Sequence, residues 1–328
     1  MERKLLFGAI GVFLAGGLTG YFLFSQMEGV LNKQETNSKQ VRQVGEHQFI
    51  NPLLECEVAE GSIDARKENF RDDLAQYINL LKQERGVSDV AIYFRDLNNG
   101  PTFGVDDQKE FFPASLLKVP VMMAYYHLAE QNPDVLRMEI QHVADKDFGI
   151  TPTIVPRERV EIGQVYTVEE LIRRMIVFSD NQALVLLTER LPLKEMQSLF
   201  SMLGVGDDVL IDGNSKLTVK EYAGFFRILF NSSYLSRTSS EKALALLSTT
   251  DYHDALPAGV PEDVIVSHKF GEAGTGTHER QLHDCGIVYF PDHPYLACIM
   301  TRGENVETLK TTIRDISKFI YEKIDQQY

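Results

Sequence analysis

Positive charge is in short supply in this chain. It carries 33 Lys and Arg against 47 Asp and Glu, a formal net charge of -14 over 328 residues, and no Lys/Arg cluster stands out. Phosphate recognition needs a basic face, so nucleic acid is excluded as a partner class. An acidic body also has no electrostatic attraction to anionic lipid. Cysteine is scarce as well. The three present, Cys56, Cys285 and Cys298, match no zinc spacing, and no metal or cofactor is expected. If two pair, one is left over; Cys285 and Cys298 fall in what read as adjacent strands and are the nearest candidates, with free buried thiols an equal reading. No internal repeat is evident.

Long apolar runs are absent with one exception. Leu5 to Met27 contains no charged residue, and Leu5 to Phe24 is an apolar run of 20 residues, about the length needed to cross a hydrocarbon core. Arg3 and Lys4 precede it and Glu28 follows, so the positive-inside tendency keeps the N-terminus in the cytoplasm and exports the rest. A cleaved signal peptide is the rival reading, but the run is long for one and no Ala-x-Ala site follows. Residues 1–27 are therefore expected to form a single-pass membrane anchor, 28–63 a juxtamembrane stalk and 64–328 an extracytoplasmic body. Within the stalk, Phe49 to Leu54 is too apolar for a free linker and is expected to dock on the body.

In the body, apolar positions Phe70, Leu74, Tyr77, Ile78, Leu80 and Leu81 recur at helical spacing, and Gly86 stops that helix. Val90 to Phe94 and Thr102 to Val105 read as strands around an Asn98-Asn99-Gly100 turn. The middle is helical, with Thr167 and Glu170 spaced as a capping box and further helices over residues 183–191, 194–203, 219–230 and 240–247. Strands return over 263–270, 281–290 and 295–301, and a final helix covers about 306–324. Strands first and last with helices between them predict an α+β fold: an antiparallel sheet flanked by the N- and C-terminal helices, plus a helical subdomain, with one transmembrane helix ahead of it.

Pro113-Ala114-Ser115-Leu116-Leu117-Lys118 leads into the apolar run Val119 to Tyr126. Proline suits a first helical turn, and residues three apart share a helix face, so the Ser115 hydroxyl and the Lys118 amine are expected to meet. A poor nucleophile beside a base that can take its proton is the arrangement of an activated nucleophile. Two further elements follow in order: Ser179-Asp180-Asn181 at a break between helices, and His268-Lys269-Phe270-Gly271 on a strand.

This ordered set resembles the class A β-lactamases and the related penicillin-binding D,D-peptidases, whose motifs are S-x-x-K, S-D-N and K-T-G. Leu256-Pro257-Ala258-Gly259, Gly286-Ile287-Val288 and the terminal helix are also similar, and the resemblance spans roughly residues 70–324. It implies a β-lactam or a peptidoglycan-type peptide as substrate. Ser115 is the implied nucleophile. Lys118 is the implied base, kept unprotonated by Lys269 and by desolvation. Ser179 passes a proton to the leaving nitrogen, and Asn181 holds substrate and orients Lys118. Asp180 braces the loop, and Lys269 places positive charge near the substrate carboxylate. Backbone N–H groups of Ser115 and Glu272 make the oxyanion hole, beside Phe270 and Gly271.

Two departures bear on activity. After Ser179-Asp180-Asn181 the family carries a loop glutamate that activates water for deacylation; here Asp212 to Leu217 leads almost directly to the next helix. Asp212 and Glu221 are the available stand-ins, against their plainer readings as a loop cap and a solvated helix residue. Phe270 stands where the family has Thr or Ser to bond the β-lactam carboxylate, which predicts weakened binding of ordinary penicillins.

Other candidates have plain readings. His278-Glu279-Arg280-Gln281-Leu282-His283 approximates a zinc-protease string with one residue too many, and lies by strands rather than on a helix. His268 reads as a packed strand histidine, Gly271 to Gly276 as a flexible turn, and Met122, Met123, Tyr125 and Tyr126 as core. The oligomeric state is not encoded in any of these features.

Overall fold

The computed structural model describes residues 47–52, 65–98, 101–146, 152–206, 216–274 and 279–327, all within one compact unit. Helix α1 (Ala65–Arg85) ends at Gly86, whose φ of 65° is a conformation glycine adopts without steric cost. The chain then turns into β1 (Val87–Asp96) and β2 (Thr102–Val105). Three long strands close the body, β7 (Val266–Ala273), β8 (Arg280–Val288) and β9 (Tyr295–Gly303), followed by α8 (Val306–Asp325). The five strands form an antiparallel sheet in the order β2-β1-β9-β8-β7, with β7 at one open edge.

Both faces of this sheet are covered, which explains why β8 and β9 are buried along almost their whole length. On one face Val90, Ile92, Phe94, Leu282, Tyr295 and Ile299 pack against α1 and α8. Tyr77 stacks on Phe319 there, ring centroids 4.8 Å apart. The turn Pro257–Gly259 also presses on α8: a Cβ at Gly259 would lie 2.5 Å from the Arg314 carbonyl oxygen. On the other face Ala91, Tyr93, Ile287, Leu296 and Met300 meet the helical subdomain. That subdomain comprises α2 (Lys118–Gln131), α3 (Val168–Val177), α4 (Asn181–Thr188), α5 (Leu193–Met202), α6 (Val219–Phe230) and α7 (Arg237–Leu247). The two outer helices lie on one side and the helical subdomain on the other, as the sequence pattern anticipates.

Cys285 and Cys298 face each other across β8 and β9 and are joined as a disulfide. Cys56 lies outside the described residues. The stalk island docks as far as it is described: Phe49 and Ile50 are buried, and Glu241 on α7 accepts the N–H groups of Gln48, Phe49 and Ile50 at 2.8–3.1 Å. The Tyr289 hydroxyl donates to the Phe49 carbonyl at 2.9 Å.

Several local expectations are corrected. At Thr167 only half of the box forms: the hydroxyl accepts from Glu170 N–H at 3.2 Å, while the Glu170 carboxylate turns to Arg173 and Arg174. Two adjacent guanidiniums outcompete one backbone N–H for that charge. The complete capping box is at Thr218 and Glu221, opening α6. Glu221 is thus committed to a helix terminus and is neither a solvated residue nor a stand-in base. Gly271 to Ala273 continue β7 rather than forming a turn. Two short strand pairs, β3 (Glu110–Phe111) with β6 (Leu217–Thr218) and β4 (Glu139–Gln141) with β5 (Val165–Thr167), are too brief to leave a period in the sequence. Among the described residues no helix is long and apolar enough to cross a membrane; the apolar run Leu5 to Phe24 lies outside them.

Candidate active site

The nucleophile candidate sits on a tighter turn than the spacing predicts. Ala114–Leu117 is a 3-10 turn and the α-helix begins only at Lys118. The tighter winding serves the pair better, because at three residues per turn i and i+3 eclipse. Lys118 Nζ lies 2.9 Å from Ser115 Oγ. Ala114 holds φ at 49°, a strained value for a residue with a side chain.

The surroundings leave that turn little freedom. Leu116 is fully buried, and its carbonyl accepts from the Tyr222 hydroxyl at 2.9 Å. Upstream, Phe112 is gripped at both backbone groups by β8. Its N–H donates to Gln281 Oε1 at 3.0 Å and its carbonyl accepts from His283 Nε2 at 3.0 Å. His283 is buried and its pKa is pushed down to about 4, chiefly by desolvation, so the ring is neutral; its Nδ1 accepts from Thr301 N–H at 3.3 Å. Gly271 lets the turn approach β7: a Cβ there would lie 3.0 Å from both Leu116 Cγ and the Pro113 carbonyl oxygen.

Ser179-Asp180-Asn181 joins α3 to α4 and faces this turn. Asp180 caps α4, accepting from Gln182 and Ala183 N–H, and its other oxygen accepts from Val160 N–H at 2.7 Å. That is the bracing expected of it, and it leaves Ser179 at φ 57° with its hydroxyl turned inward. Lys118 Nζ reaches Ser179 O at 2.6 Å, Asn181 Oδ1 at 2.7 Å and Ser179 Oγ at 3.0 Å. Lys269 Nζ, from β7, donates to Ser179 Oγ at 2.9 Å and to the Phe270 carbonyl at 2.9 Å. Ser115, Lys118, Ser179, Asn181 and Lys269, separated by 154 positions in sequence, therefore form one polar cluster between sheet and helices.

Both lysines are fully buried. Desolvation lowers the Lys118 pKa to about 7 against a small opposing effect of Asp180. Lys269 is held well below its ordinary value by desolvation and then by Lys118. Burial, rather than the neighbouring cation, is thus the main cause at Lys118. A neutral lysine has two N–H bonds and one lone pair. Its two shortest contacts are carbonyl oxygens, which only accept, so they take both N–H bonds. The lone pair is left for a hydroxyl proton of Ser115 or Ser179.

The disulfide's Cα–Cα distance of 3.9 Å marks a narrow, non-hydrogen-bonded pair of an antiparallel ladder. Alternation then makes Lys269–Cys285 and Gly271–His283 the bonded pairs across β7 and β8 and turns the backbone groups of His268, Phe270 and Glu272 off the open edge. Two of the outward carbonyls are taken, His268 by the Thr250 hydroxyl and Phe270 by Lys269. The Glu272 N–H turns outward at the same edge.

The remaining candidates separate cleanly. Phe270 is buried, stacked on Tyr252 with ring centroids 4.2 Å apart, and lies under Lys269 Nζ at 4.0 Å from its ring centroid. The Glu272 carboxylate accepts from Thr153 and Ile154 N–H at 3.0 Å and pairs with Arg280. His268 is the packed strand histidine expected, its Nδ1 2.8 Å from Asp284 Oδ1. His278 and Asp212 lie outside the described residues, and among those described no group of His, Cys, Asp and Glu could hold a metal ion. Sequence reasoning missed Gln281, His283 and Tyr222. The alternation of Gln281 and His283 in β8 is the signal that could have placed both on the nucleophile's side.

A family model described as the beta-lactamase enzyme family matches residues 72–324. No curated protein sequence matches the chain. Among solved structures, a mutant of PBP-A, an acyl-enzyme complex with penicillin G, shares 22% identity with a TM-score of 0.64 over 78% of this chain and 97% of its own. A beta lactamase from Xanthomonas campestris pv. campestris shares 18% identity with a TM-score of 0.65 over 78% and 98%. A class A beta-lactamase from Mycobacterium abscessus shares 18% with a TM-score of 0.64 over 77% and 99%. At these identities the likeness establishes a common fold.

Proposed function

The chain belongs to the beta-lactamase enzyme family, and from that premise we propose that it is a serine hydrolase of the β-lactamase/D,D-peptidase type in which Ser115 forms an acyl-enzyme with a β-lactam or a D-Ala-D-Ala-like amide. The observation that carries the proposal is the fully buried Lys118 amine, 2.9 Å from Ser115 Oγ, with the Ser179 carbonyl and Asn181 Oδ1 at 2.6 and 2.7 Å to take its N–H bonds. Lys118 takes the Ser115 proton as Oγ bonds to the carbonyl carbon. Charge developing on the carbonyl oxygen is met by the N–H groups of Ser115 and Glu272. The C–N bond then breaks, and Ser179, within reach of both lysines, passes the proton to the departing nitrogen. A mutant of the PBP-A neighbour is described as an acyl-enzyme with penicillin G, which supports the same chemistry on this fold.

Release is proposed to be slow. Glu221 is used in a helix cap, and no other described carboxylate contacts Ser115 or Lys118. The run Leu5 to Phe24 would hold the body at the outer face of the cytoplasmic membrane. Mass measurement of the intact protein after incubation with a penicillin should show an added acyl group that persists over many minutes and is missing in Ser115→Ala. The absence of any adduct across several β-lactams, together with no labelling of Ser115 by a fluorophosphonate, would instead favour a catalytically silent envelope-binding module.

A further inference from the structure

Residues 153–160 run from one wall of the site to the other. Gly271 of β7 lies against the nucleophile's turn, and at the next residue the strand is tied to this segment. The Glu272 carboxylate accepts from Thr153 N–H and from Ile154 N–H, each at 3.0 Å, and Ile154 packs on the core cluster that holds Tyr252 and Phe270. At the far end the Val160 N–H donates at 2.7 Å to Asp180, the residue that braces the Ser179 turn. The segment thus joins β7 to the Ser179 turn, the two elements between which the polar cluster forms. An acyl donor whose carbonyl reaches the Glu272 N–H must lie along β7 at the point where the segment is fastened.

The groups that hold the Glu272 carboxylate suit any carboxylate. Two successive backbone N–H groups make an anion cradle. Arg280 supplies the charge: it pairs with Glu272, donates to the Thr153 hydroxyl at 2.7 Å, and keeps a buried Nε–H without a partner. Water has little access, since the Glu272 and Arg280 side chains are 7% and 15% exposed. Withdrawing Glu272 alone would leave a guanidinium and two N–H groups unpaired, which is costly away from water. Exchanging one carboxylate for another leaves every donor paired. Penicillins and D-Ala-D-Ala-like amides both carry a carboxylate on the carbon next to the leaving nitrogen, so they bring the group that such an exchange requires.

Resting on the acyl-enzyme reading above, we propose that Glu272 is a specificity-determining latch: its carboxylate fills the cradle of Thr153 N–H, Ile154 N–H and Arg280 in the free protein, and a substrate enters by placing its own carboxylate there instead. The displaced Glu272 side chain turns to solvent at the open edge of β7. No covalent bond changes in this step, and those made and broken at Ser115 are the ones already described.

Acylation of the full-length protein by penicillin G, followed by intact mass, is compared with labelling of Ser115 by a fluorophosphonate, which has no carboxylate. In Glu272→Ala the ratio of the penicillin G rate to the fluorophosphonate rate is expected to rise about tenfold, because the internal competitor is gone. Acetate is expected to compete with penicillin G in that variant and to leave the wild type unaffected. A ratio that stays level or falls, or acetate that acts on both proteins alike, overturns the proposal while leaving acylation at Ser115 intact. Amide hydrogen exchange in the wild-type protein decides the matter even where the variant does not fold. The Thr153 and Ile154 amides are expected to exchange slowly in the free protein and to stay slow in the penicillin acyl-enzyme, where the second carboxylate has replaced the first. Amides that exchange at once in the free protein, or that lose their protection on acylation, overturn the latch. A wild-type protein that neither reagent labels at Ser115 overturns the acyl-enzyme reading and this proposal with it.

Discussion

The floor of the site and its β7 edge are built on different principles. On the floor, Lys118 Nζ finds four oxygens within 2.6–3.0 Å, and buried polar groups are matched partner by partner. At the edge, the cations Lys269 and Arg280 are turned to partners within the protein, and Phe270 is buried between Tyr252 and Lys269. Bond-making depends on angles and distances that few arrangements satisfy, whereas the edge departs from the resembled motif at one side chain, Phe270 in place of Thr or Ser.

Substitutions on the floor should act on every acyl donor alike, and those at the edge should reorder them. The largest effect is expected for Lys118→Ala, which removes the base: acylation by every β-lactam should fall on the order of 10³-fold, read from intact mass in a time course. A fall confined to one β-lactam would break that expectation. In the wild-type protein the acylation rate should climb about tenfold per pH unit below about 7, where Lys118 becomes neutral, and level off above. A profile flat from pH 5 to 9 would remove Lys118 from the role of base. The same shift has a thermodynamic face. The folded-state pKa of Lys118 lies below its ordinary value of 10.5, so the unfolded chain binds more protons between about pH 7 and 10. Urea melts should accordingly show stability rising with pH in that window, by up to about 1.4 kcal/mol per unit from this residue.

Smaller effects come from the supports. His283→Ala strips the Phe112 carbonyl and the Thr301 N–H of a buried partner, and a loss of about 1–3 kcal/mol is expected, together with slower acylation. His283→Gln, which can still donate to Phe112, should recover part of the rate; equal rates in both variants would reduce His283 to packing. The smallest change is expected for Glu241→Ala, about 1 kcal/mol, with faster proteolysis around residues 47–52 and unaltered acylation.

Much of this was legible before any coordinates. Helix α1, the strands and α8 announce themselves by period, and Ser115 with Lys118 follows from i,i+3 geometry that a 3-10 turn satisfies even better than an α-helix. That the chain's three motifs meet was legible only through the family resemblance that their order carries. The supports were not. Glu170 and Glu221 occupy identical positions relative to a threonine, and only the presence of Arg173 and Arg174 near the first decides that one box completes and the other does not. The Phe112 grip depends on β8 crossing 169 positions later in the chain, a distance over which local pattern carries no information. The committed state of Lys269 and Arg280 likewise appears only once their neighbours are in place.

The link between Cys285 and Cys298 joins strands that are already neighbours, and it closes a loop of only 13 positions. Its consequence is better expressed as local stiffness than as reach. One half lies beside Lys269 in the ladder, and the same strand carries Gln281 and His283, which grip Phe112. Shear between β8 and β9 would be transmitted through Phe112 to the turn that holds Ser115. A staple at that point makes the bed of the nucleophile less compliant, so reduction should be felt first as a looser reaction geometry and only afterwards as a loss of fold.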